Sequence, residues 1–477
     1  MGYDFDLIVI GGGAAGLVAS KFAAGVGKKV ALIERERLGG ECTLYGCVPS
    51  KALIRTARVL NQMKRAHEVG LNMGEPPPVA GEAVFARARK VVERVYEEHR
   101  PEALVGLGIH LVFGSPRFRD NHRVEVDGRM LSAASFIVCT GSSPLVPPIG
   151  GIETVPYLTN RTLFDMERPP RSLIVLGGGP IGIEMAQAFT YLGVRVIVLE
   201  AADRILPKED RELCDLLAGR LAATGMEILT GTRVSRFGNG DGGIEVAVED
   251  AAGQRGSLSG DALLVATGRK ANVDSLDLDA AGVAYSPEGI GTDRLLTTTA
   301  GNIYAAGDVT GPYRFSHMAE YQARIAAQNA LFPYRRSADY RHYLWCTFTD
   351  PEFAHAGLTE DEARERYGNS IRVYRWRYGD IDRAKTDADE FGMAKFICDR
   401  SYRILGAHIL GTRAGELIHE AQIIKTLGVP FHKLDSVIHA YPTFSDVVRQ
   451  PSKASHIDRL RNSLLVRLAG RVFAGRR

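Results

Sequence analysis

The chain carries the same glycine-rich unit twice, and this repeat constrains its fold more than any other feature. The first copy is GGGAAG at 11–16, followed by a strand that ends at Glu34, and the second is GGGPIG at 177–182, followed by a strand that ends at Glu200. Each copy also follows an apolar strand. A strand, a G-x-G-x-x-G turn that opens a helix, and an acid at the end of the next strand form the complete dinucleotide-binding pattern.

Each position of this pattern has a physical role. The first glycine makes the tight turn, the second lets the backbone approach a pyrophosphate, and the third lets the helix pack on the strand. The unpaired N–H groups of the helix N-terminus attract the pyrophosphate, and the acid accepts hydrogen bonds from a ribose hydroxyl. Two such sites predict hydride transfer between a bound flavin and a diffusible nicotinamide. The predicted contacts are Gly11, Gly13, Gly16 and Glu34 in the first copy, and Gly177, Gly179, Gly182 and Glu200 in the second.

The composition excludes several other classes of protein. A chain of 477 residues is long enough for about three domains. Its 59 basic and 56 acidic residues give a net charge of +3, so we expect no nucleic-acid partner. No apolar run approaches the ~18 residues of a membrane span, and the opening MGYDFD has no basic segment typical of an export signal. We therefore expect a cytoplasmic protein.

Only two of the six cysteines, Cys42 and Cys47, are close in sequence. In an ideal helix their Cα atoms would lie about 8.6 Å apart, whereas a disulfide needs roughly 4.4–6.8 Å. Gly46 must therefore permit a distorted turn, and a bridge formed there should be strained and easily reduced, as a working disulfide is. The spacing is not C-x-x-C and no further ligands are nearby in sequence, so we predict no metal site.

The segment ECTLYGCVPSK, 41–51, resembles the active-site segment of the flavin-dependent pyridine nucleotide–disulfide oxidoreductases. This family includes dihydrolipoamide dehydrogenase, glutathione reductase and mercuric reductase, and the turns TGS at 140–142, ATGR at 266–269 and AAGD at 305–308 strengthen the resemblance. It implies an α/β fold in which two Rossmann-like dinucleotide-binding domains, the NAD domain inserted in the FAD domain, precede a C-terminal α+β dimerisation domain. The implied bounds are 1–148 and 273–338 for FAD, 149–272 for NAD(P)H, and 339–477 for the dimerisation domain with a basic tail.

The same resemblance implies residue roles. Cys47 would lie against the flavin of a tightly bound FAD, and Cys42 would exchange with substrate in an active site shared between the subunits of a homodimer. Lys51 and Glu184 would form an ion pair near the flavin ring, which either tunes the flavin or is an ordinary buried salt bridge. Further implied cofactor contacts are Ala15, Arg35, Gly40, Lys51, Gly114, Thr140, Gly141, Ser142, Asp308, Glu184, Val234 and Gly268.

The chain departs from the family pattern near its C-terminal end. Disulfide-reducing members have a His directly before a Pro-Thr pair and a Glu five positions later, whereas this chain has Tyr441 and Asp446. A tyrosine titrates near pH ~10 and a histidine near ~6.5, so Tyr441 is a poor base at neutral pH. His439 is an alternative base, or else a packed or interface histidine. The chain also has no cysteine after Cys398, unlike mercuric reductases, which end in a cysteine pair.

Three smaller features leave alternatives open. Glu200 favours NADH over NADPH because a carboxylate repels a 2′-phosphate, although Arg204 could instead bind that phosphate. Residues 455–477 form a basic, amphipathic pattern that predicts either weak docking on a membrane or partner, or a plain surface helix. Trp345 and Cys346 are placed near the subunit interface, with substrate contact by Cys346 as an open alternative.

The leading functional prediction is an enzyme that passes electrons from NAD(P)H through FAD to the Cys42–Cys47 pair. Its acceptor would be a disulfide or thiol compound of the dihydrolipoamide type, small or carrier-bound. The alternative acceptors are a soft metal ion, Hg(II) or Cu(II), or a quinone. A flavin-binding interaction protein with little turnover is the alternative of another class, and the intact residues Cys42, Cys47, Lys51 and Glu184 argue against it.

Overall fold

The computed structural model describes residues 2–72, 74, 79 and 81–463. Within these residues the chain forms 12 α-helices and 23 strands. The helices are α1 Ala14–Gly25, α2 Gly40–Leu44, α3 Cys47–Lys64, α4 Gly81–Tyr96, α5 Pro101–Val105, α6 Pro180–Tyr191, α7 Arg211–Ala222, α8 Ser316–Leu331, α9 Glu360–Tyr367, α10 Asp382–Thr386, α11 Ala414–Leu427 and α12 Asp446–Asn462.

The strands fall into groups along the chain that correspond to separate sheets. The first fourteen are β1 Phe5–Ile10, β2 Val30–Glu34, β3 His110–Phe113, β4 Pro116–Asp120, β5 Arg123–Val126, β6 Arg129–Val138, β7 Ser142–Pro144, β8 Ser172–Leu176, β9 Arg195–Leu199, β10 Glu227–Leu229, β11 Arg233–Gly240, β12 Gly243–Glu249, β13 Arg255–Gly260 and β14 Ala262–Val265. The others are β15 Arg269–Ala271, β16 Tyr285–Ser286, β17 Gly289–Ile290, β18 Ile303–Ala305, β19 Leu344–Thr347, β20 Glu352–Gly357, β21 Arg372–Arg377, β22 Met393–Cys398 and β23 Ile404–Gly411.

The first sheet has the strand order β3-β2-β1-β6-β5-β4, and β18 adds to it beside β6. Strands β1, β2, β3, β6 and β18 run parallel to their neighbours in this central part. Strand β1 is almost wholly apolar and buried because α1 and α8 cover one face and a second apolar cluster covers the other. Its carboxyl end leads directly into the first glycine-rich turn.

The second sheet repeats this plan in the middle of the chain. Its order is β10-β9-β8-β14, all parallel, and β8 leads into the second glycine-rich turn and α6. The antiparallel strands β11, β12 and β13 pack their apolar side chains, including Phe237 and Val246, against Ile174 and Leu176 of β8. Because β18 returns to the first sheet after this segment, the second unit is inserted into the first.

The C-terminal part contains a separate antiparallel sheet with the order β19-β20-β23-β22-β21. Apolar residues of β20, β22 and β23 form one core with those of α11 and α12. Two parallel sheets with glycine-rich turns, one inserted in the other, followed by an α+β unit, confirm the predicted fold class. The domain boundaries themselves stay predictions.

The described part of the C-terminal tail is helical. Helix α12 ends at Asn462, and Ile457 and Leu460 are exposed on it. The predicted amphipathic pattern continues through 464–477, which lie outside the described residues. Among the described residues, no helix combines the length and apolar character needed to cross a bilayer.

Candidate active site and cofactor cradles

The first glycine-rich turn forms an open cradle at the start of α1. Gly11 has a φ of 105°, and a Cβ on Gly16 would lie only 1.7 Å from the carbonyl oxygen of Gly11, so both positions require glycine. The cap residue Gly13 has no side-chain hydrogen bond to the first turn. The first N–H groups of α1 are therefore available to an anion, as a bound pyrophosphate requires.

The carboxylate of Glu34 lies across this cradle. It accepts a hydrogen bond of 2.6 Å from the backbone N–H of Gly12 and one of 2.8 Å from that of Glu36. Both contacts hold the carboxylate at the end of β2, where the sequence predicted a ribose ligand. The neighbouring Arg35 is exposed and pairs with Glu36 at 3.3 Å, so its predicted cofactor contact stays a prediction.

The second glycine-rich turn has nearly the same geometry. Gly177 has a φ of 110°, and a Cβ on Gly182 would lie 2.0 Å from the carbonyl oxygen of Gly177. The Glu200 carboxylate accepts a hydrogen bond of 2.7 Å from the N–H of Gly178. Around Gly179 a Cβ would meet nothing within 4 Å, so a ligand can approach the backbone there. Both cradles thus fit a dinucleotide.

A polar cluster lies beside the first cradle. The Ser142 hydroxyl donates to the Asp308 carboxylate at 2.5 Å, and the guanidinium of Arg269 donates to Ser142 Oγ at 2.7 Å. Arg269 also pairs with Glu41, the residue before Cys42, at 3.0 Å. The sequence pattern indicates only a turn at Arg269, because its partners Glu41 and Ser142 are distant in sequence.

The other predicted cofactor residues are mostly turn and packing positions. Gly114, Gly141 and Gly268 have φ of 143°, 70° and 140°, and Thr140 donates its hydroxyl to the Asn272 carbonyl at 2.7 Å. The positive φ angles explain why glycine stands at three of these positions. They do not test whether a ligand binds there, so the cofactor contacts stay predictions. The three remaining positions also have packing roles. Ala15 is buried beside the first cradle, and a Cβ on Gly40 would lie 2.7 Å from Gly13 Cα. Val234 packs against the apolar cluster that contains Phe237 and Ile174.

The two neighbouring cysteines lie at a break between two helices. Helix α2 ends at Leu44, Gly46 takes the non-helical angles φ −124° and ψ −107°, and α3 starts at Cys47. This interruption is the distorted turn that the spacing predicted. Both thiols are free in this structure, and Cys47 is the more exposed of the two. The hydroxyl of Ser316, the first residue of α8, lies 3.5 Å from Cys47 Sγ.

The surroundings favour a thiolate on Cys47 over one on Cys42. A hydrogen bond from the Cys42 thiol lowers the pKa of Cys47 to about 6, with further help from the Ser316 hydroxyl and the charge of Lys51. The same hydrogen bond and burial raise the pKa of Cys42. At neutral pH the reduced pair therefore carries one negative charge, on Cys47. The role of Ser316 could not be predicted, because nothing near it in the chain indicates a thiol partner.

Lys51 and Glu184 form the predicted ion pair, with Nζ and Oε2 2.7 Å apart. The other oxygen of Glu184 accepts a hydrogen bond of 2.8 Å from the backbone N–H of Phe348, and Lys51 Nζ lies 4.6 Å from the centre of the Phe348 ring. Burial alone would lower the pKa of Lys51, but the Glu184 carboxylate outweighs it and raises that pKa. The pair is therefore charged, and it joins the helix of the cysteines to the helix of the second cradle.

The three C-terminal candidates each have a partner of their own in the chain. The exposed Tyr441 donates its hydroxyl to Asp382 at 2.9 Å, and this hydrogen bond raises the pKa of Tyr441. Asp446 binds Arg449 Nε at 2.8 Å rather than Tyr441. A histidine–acid pair of the family type is therefore not assembled around Tyr441.

His439 is also engaged at both ring nitrogens. Its Nδ1 lies 2.9 Å from the Val437 carbonyl oxygen, and its Nε2 lies 3.3 Å from Glu420 Oε2. Glu420 in turn accepts a hydrogen bond of 2.7 Å from Ser445. This arrangement is typical of a packed histidine, and its role as a base stays a prediction.

Trp345 and Cys346 of β19 point to opposite sides of the C-terminal sheet. The Trp345 ring stacks between Phe315, at 5.4 Å, and His355, at 3.8 Å, and its N–H donates to Glu209. Cys346 is half-buried, and burial raises its pKa well above the usual value. A thiol in this state is a weak nucleophile.

Two dinucleotide cradles on parallel sheets, together with a thiol pair of which one member has a low pKa, define a class: the NAD(P)H-dependent flavoprotein disulfide oxidoreductases. Residues 5–327 match the family described as pyridine nucleotide-disulphide oxidoreductase, and residues 343–451 match its dimerisation domain. The chain belongs to the pyridine nucleotide-disulphide oxidoreductase family, as the sequence predicted. This family is FAD-binding with NAD(P)H as electron donor, and the dimerisation domain supports a homodimer.

Relatives match along nearly the whole chain. A mercuric reductase of Bacillus cereus is 33% identical over 450 residues, which cover 93% of this chain and 70% of that one. A dihydrolipoyl dehydrogenase of Thermus scotoductus is 33% identical over 463 residues, covering 95% of this chain and 97% of the other. Among solved structures, the HOCl-induced flavoprotein disulfide reductase RclA from Escherichia coli is similar, with a TM-score of 0.85, 30% identity and coverage of 94% and 99%. Its Cu(II) complex has a TM-score of 0.84, 30% identity and coverage of 93% and 98%.

Proposed function

We propose that this enzyme takes a hydride from NAD(P)H, reduces the Cys42–Cys47 pair through FAD, and passes the electrons to a thiophilic acceptor. FAD supplies the conversion of a hydride into electrons that a disulfide can accept. The first cradle would hold FAD, with Asp308 and Ser142 beside it as further contacts. Glu184 keeps Lys51 charged, and the charge of Lys51 helps to lower the pKa of Cys47.

The acceptor that the geometry supports best is a soft metal ion such as Hg(II) or Cu(II), ahead of a disulfide. The observation that carries this order is the state of Tyr441, whose hydrogen bond to Asp382 raises its pKa further from neutrality. The chain therefore offers no proton donor and acceptor poised near pH 7 at the position where disulfide-reducing relatives have histidine. The names of two relatives, mercuric reductase and the Cu(II) complex of RclA, agree with this order.

Proton balance explains why the residue at position 441 affects the choice of acceptor. Oxidation of one NADH by a disulfide consumes one proton and yields two thiols, so a leaving thiolate must be protonated. Oxidation of one NADH by one Hg(II), or by two Cu(II) that become Cu(I), releases one proton and protonates no leaving group. In this proposal, reduction of a metal ion needs only the thiolate on Cys47, with its low pKa, and an exchangeable thiol on Cys42.

A disulfide or thiol acceptor of the dihydrolipoamide type is the second candidate. The intact thiol pair favours it, as does the 33% identity to a dihydrolipoyl dehydrogenase over 95% of the chain. In that case His439 would act as the base, and its contact with Glu420 would first have to break.

Acceptor competition in the FAD-loaded dimer tests this order. We measure NADH consumption at pH 7 without oxygen, with lipoamide, glutathione disulfide, Hg(II) buffered by a monothiol, and Cu(II) buffered by a chelator that has no thiol. We expect the disulfides to be slower, because loss of a general acid typically costs about 10²–10⁴-fold. Tyr441→His should raise disulfide turnover at least ~10-fold and leave reduction of the flavin by NADH unchanged.

The matched control is Tyr441→Phe, which removes the hydroxyl but retains the ring. It should leave metal reduction unchanged. Rapid lipoamide turnover by the wild type, unaffected by Tyr441→Phe and abolished by His439→Ala, would refute the proposed order and identify His439 as the base.

We further propose that NADH is preferred over NADPH. Glu200 is held by the N–H groups of Gly178 and Ala202, at 2.7 Å each, so its charge faces the position of a 2′-phosphate. Arg204 donates to the Pro207 carbonyl at 2.9 Å instead of pointing freely into the cradle. The active site is completed, in this proposal, by the C-terminal segment of a second subunit.

A further inference from the structure

Three buried side chains with metal-binding atoms meet where the second unit contacts the C-terminal sheet. Glu209 lies just before α7, His355 lies on β20, and His408 lies directly opposite His355 on β23. Each is at most 3% exposed, and one potential ligand atom from each lies within 4.8 Å of the other two. None of them belongs to the thiol pair or to either cradle.

Both histidines use Nε2 in the same way. His355 Nε2 lies 2.7 Å from the Gly357 carbonyl oxygen, and His408 Nε2 lies 2.9 Å from the Leu358 carbonyl oxygen. A carbonyl oxygen can only accept a hydrogen bond, so Nε2 carries the proton in both rings. His408 Nδ1 is therefore left as the nitrogen with a free lone pair, whereas His355 Nδ1 shares a hydrogen with Glu209 Oε2, and a metal ion would replace that hydrogen. Metal-binding histidines commonly have this arrangement, in which one nitrogen donates to a backbone carbonyl and the other faces the metal.

The two Nδ1 atoms differ in what they meet. His355 Nδ1 lies 2.8 Å from Glu209 Oε2, whereas His408 Nδ1 is buried and has no hydrogen-bond partner among the described residues. The His408 ring stands edge-on to that of His355, with centres 4.5 Å apart. A buried acceptor without a partner is costly unless something binds it.

The carboxylate of Glu209 is oriented from its other side. Its Oε1 accepts the Trp345 N–H, which leaves Oε2 directed at the His355 ring. Trp345 also stacks on that ring at 3.8 Å, so the ring cannot turn freely. Ligand atoms whose other hydrogen bonds are already made are those that a metal site requires.

We propose that Glu209, His355 and His408 bind a borderline divalent metal ion, represented by Zn²⁺. Two imidazoles and one carboxylate are a donor set that zinc uses, with bonds of about 2.0–2.2 Å. The ion would take the place of the proton between Glu209 and His355 and would occupy the unused lone pair of His408. Ligand atoms around such an ion are about 3.4 Å apart, so the 2.8 Å between His355 Nδ1 and Glu209 Oε2 must widen slightly, and His408 must approach the other two by about 1 Å.

This site differs in chemistry from the thiol pair. It offers only nitrogen and oxygen, it is buried, and it has no redox partner, so the ion would be structural. It would connect the segment after Glu200, which leads to Glu209, with the sheet of the dimerisation domain. The neighbouring pair Lys395–Asp210, at 2.8 Å, joins the same two parts of the chain. No sequence motif indicates this site, because its three ligands are far apart along the chain.

Zinc binding to the FAD-loaded full-length protein, with the Cys42–Cys47 pair oxidised, tests the proposal. The protein is treated with a chelator, equilibrated with Zn²⁺, and analysed for metal content and by zinc X-ray absorption. We expect one Zn²⁺ per chain with a nitrogen and oxygen shell at about 2.0–2.2 Å and no sulfur shell near ~2.3 Å. Glu209→Gln retains an oxygen for Trp345 but loses the charge, and it should weaken Zn²⁺ binding by at least ~10- to 100-fold.

His408→Gln should have a similar effect, and His432→Gln is its matched control. His432 is another buried histidine whose Nδ1 lacks a partner among the described residues, but it is not part of this cluster. The control should bind Zn²⁺ like the wild type. Absence of bound Zn²⁺ in the wild type, a sulfur shell, or unchanged binding in both Glu209→Gln and His408→Gln would each overturn the proposal, and the first two need no variant to fold.

Discussion

The two glycine-rich cradles share one backbone geometry and differ in their surroundings. The first glycine has φ of 105° in Gly11 and 110° in Gly177, and the acids Glu34 and Glu200 accept backbone hydrogen bonds of 2.6 and 2.7 Å. Such agreement follows from the sequence pattern, because the turn and the acid are local features. The recognition unit for a dinucleotide is therefore the same in both places.

The surroundings distinguish a held cofactor from an exchangeable one. In each cradle a later segment donates a backbone N–H to the middle glycine, from Gly39 to the Gly12 carbonyl at 2.8 Å and from Leu206 to the Gly178 carbonyl at 2.9 Å. In the first cradle the cysteine segment also approaches the cap glycine, because a Cβ on Gly13 would lie 3.7 Å from Gly40 Cα. Nothing lies within 4 Å of a Cβ placed on Gly179 in the second. This contrast favours retention of FAD in the first cradle and exchange of nicotinamide in the second. It teaches that the residues added around a repeated unit, and not the unit itself, decide its function.

The largest expected effect comes from adding one methyl group to each cradle. Gly13 and Gly179 have extended backbone angles that alanine also adopts, so Gly13→Ala and Gly179→Ala should fold normally. The methyl would occupy the position closest to the pyrophosphate, at a cost of about 1–3 kcal/mol, or roughly 10- to 100-fold in affinity. Gly13→Ala should lose flavin absorbance on dialysis, whereas Gly179→Ala should stay yellow with a raised KM for NADH. The same phenotype in both variants would remove the distinction between the cradles.

A smaller effect is expected when the acids are exchanged for arginine. Glu200→Arg should shift kcat/KM from NADH toward NADPH by roughly 10-fold, because it replaces repulsion of a 2′-phosphate with a charge-assisted hydrogen bond worth ~1.5–3 kcal/mol. Glu34→Arg, the matched change in the first cradle, should leave that ratio unchanged and weaken FAD binding. Steady-state kinetics with both nucleotides measures the ratio. A wild-type preference for NADPH would show that Arg204 dominates.

The smallest expected effect concerns the Cys47 thiol, which belongs to the surroundings of the first cradle. The pKa of Cys47 is lowered to about 6, so its thiolate is present above that pH and is lost as the pH falls through it. In the two-electron-reduced protein, the long-wavelength thiolate–flavin absorbance should therefore rise with a midpoint near pH 6. Ser316→Ala removes one hydrogen bond, worth ~0.5–1.5 kcal/mol, and should raise the midpoint by roughly 0.5–1 pH unit. Cys47→Ala is the control without the band, and a midpoint unmoved by Ser316→Ala would exclude this serine.

Local patterns predicted the fold and the cradles well. The glycine spacing, the apolar strands and the acids Glu34 and Glu200 act within one strand–turn–helix unit, so the sequence contains all of the relevant contacts. The break at Gly46 followed in the same way from the reach of two cysteines five positions apart. The pairing of Lys51 with Glu184 came from family resemblance, because no local rule joins residues on two separate helices.

Contacts between distant segments could not be predicted. Arg269 meets Glu41, Ser316 meets Cys47, and Glu209 meets His355 only after segments far apart in the chain have packed together. The state of Tyr441 is a further example, since its partner Asp382 lies on α10, 59 positions earlier in the chain. Titration of such groups depends on which charges arrive from elsewhere in the fold.

Because β18 follows the inserted unit in the chain, the first sheet can be completed only late in synthesis of the protein. Ile303 pairs with Phe136, 167 positions earlier, so β6 stays an open edge while the inserted unit is translated. At about 5–20 residues per second this interval lasts roughly 10–30 s. During it, Phe136, Ile137 and Val138, fully buried in the finished protein, stay accessible to the surrounding solution. Nascent chains of this length should therefore depend on chaperones to prevent edge-to-edge association.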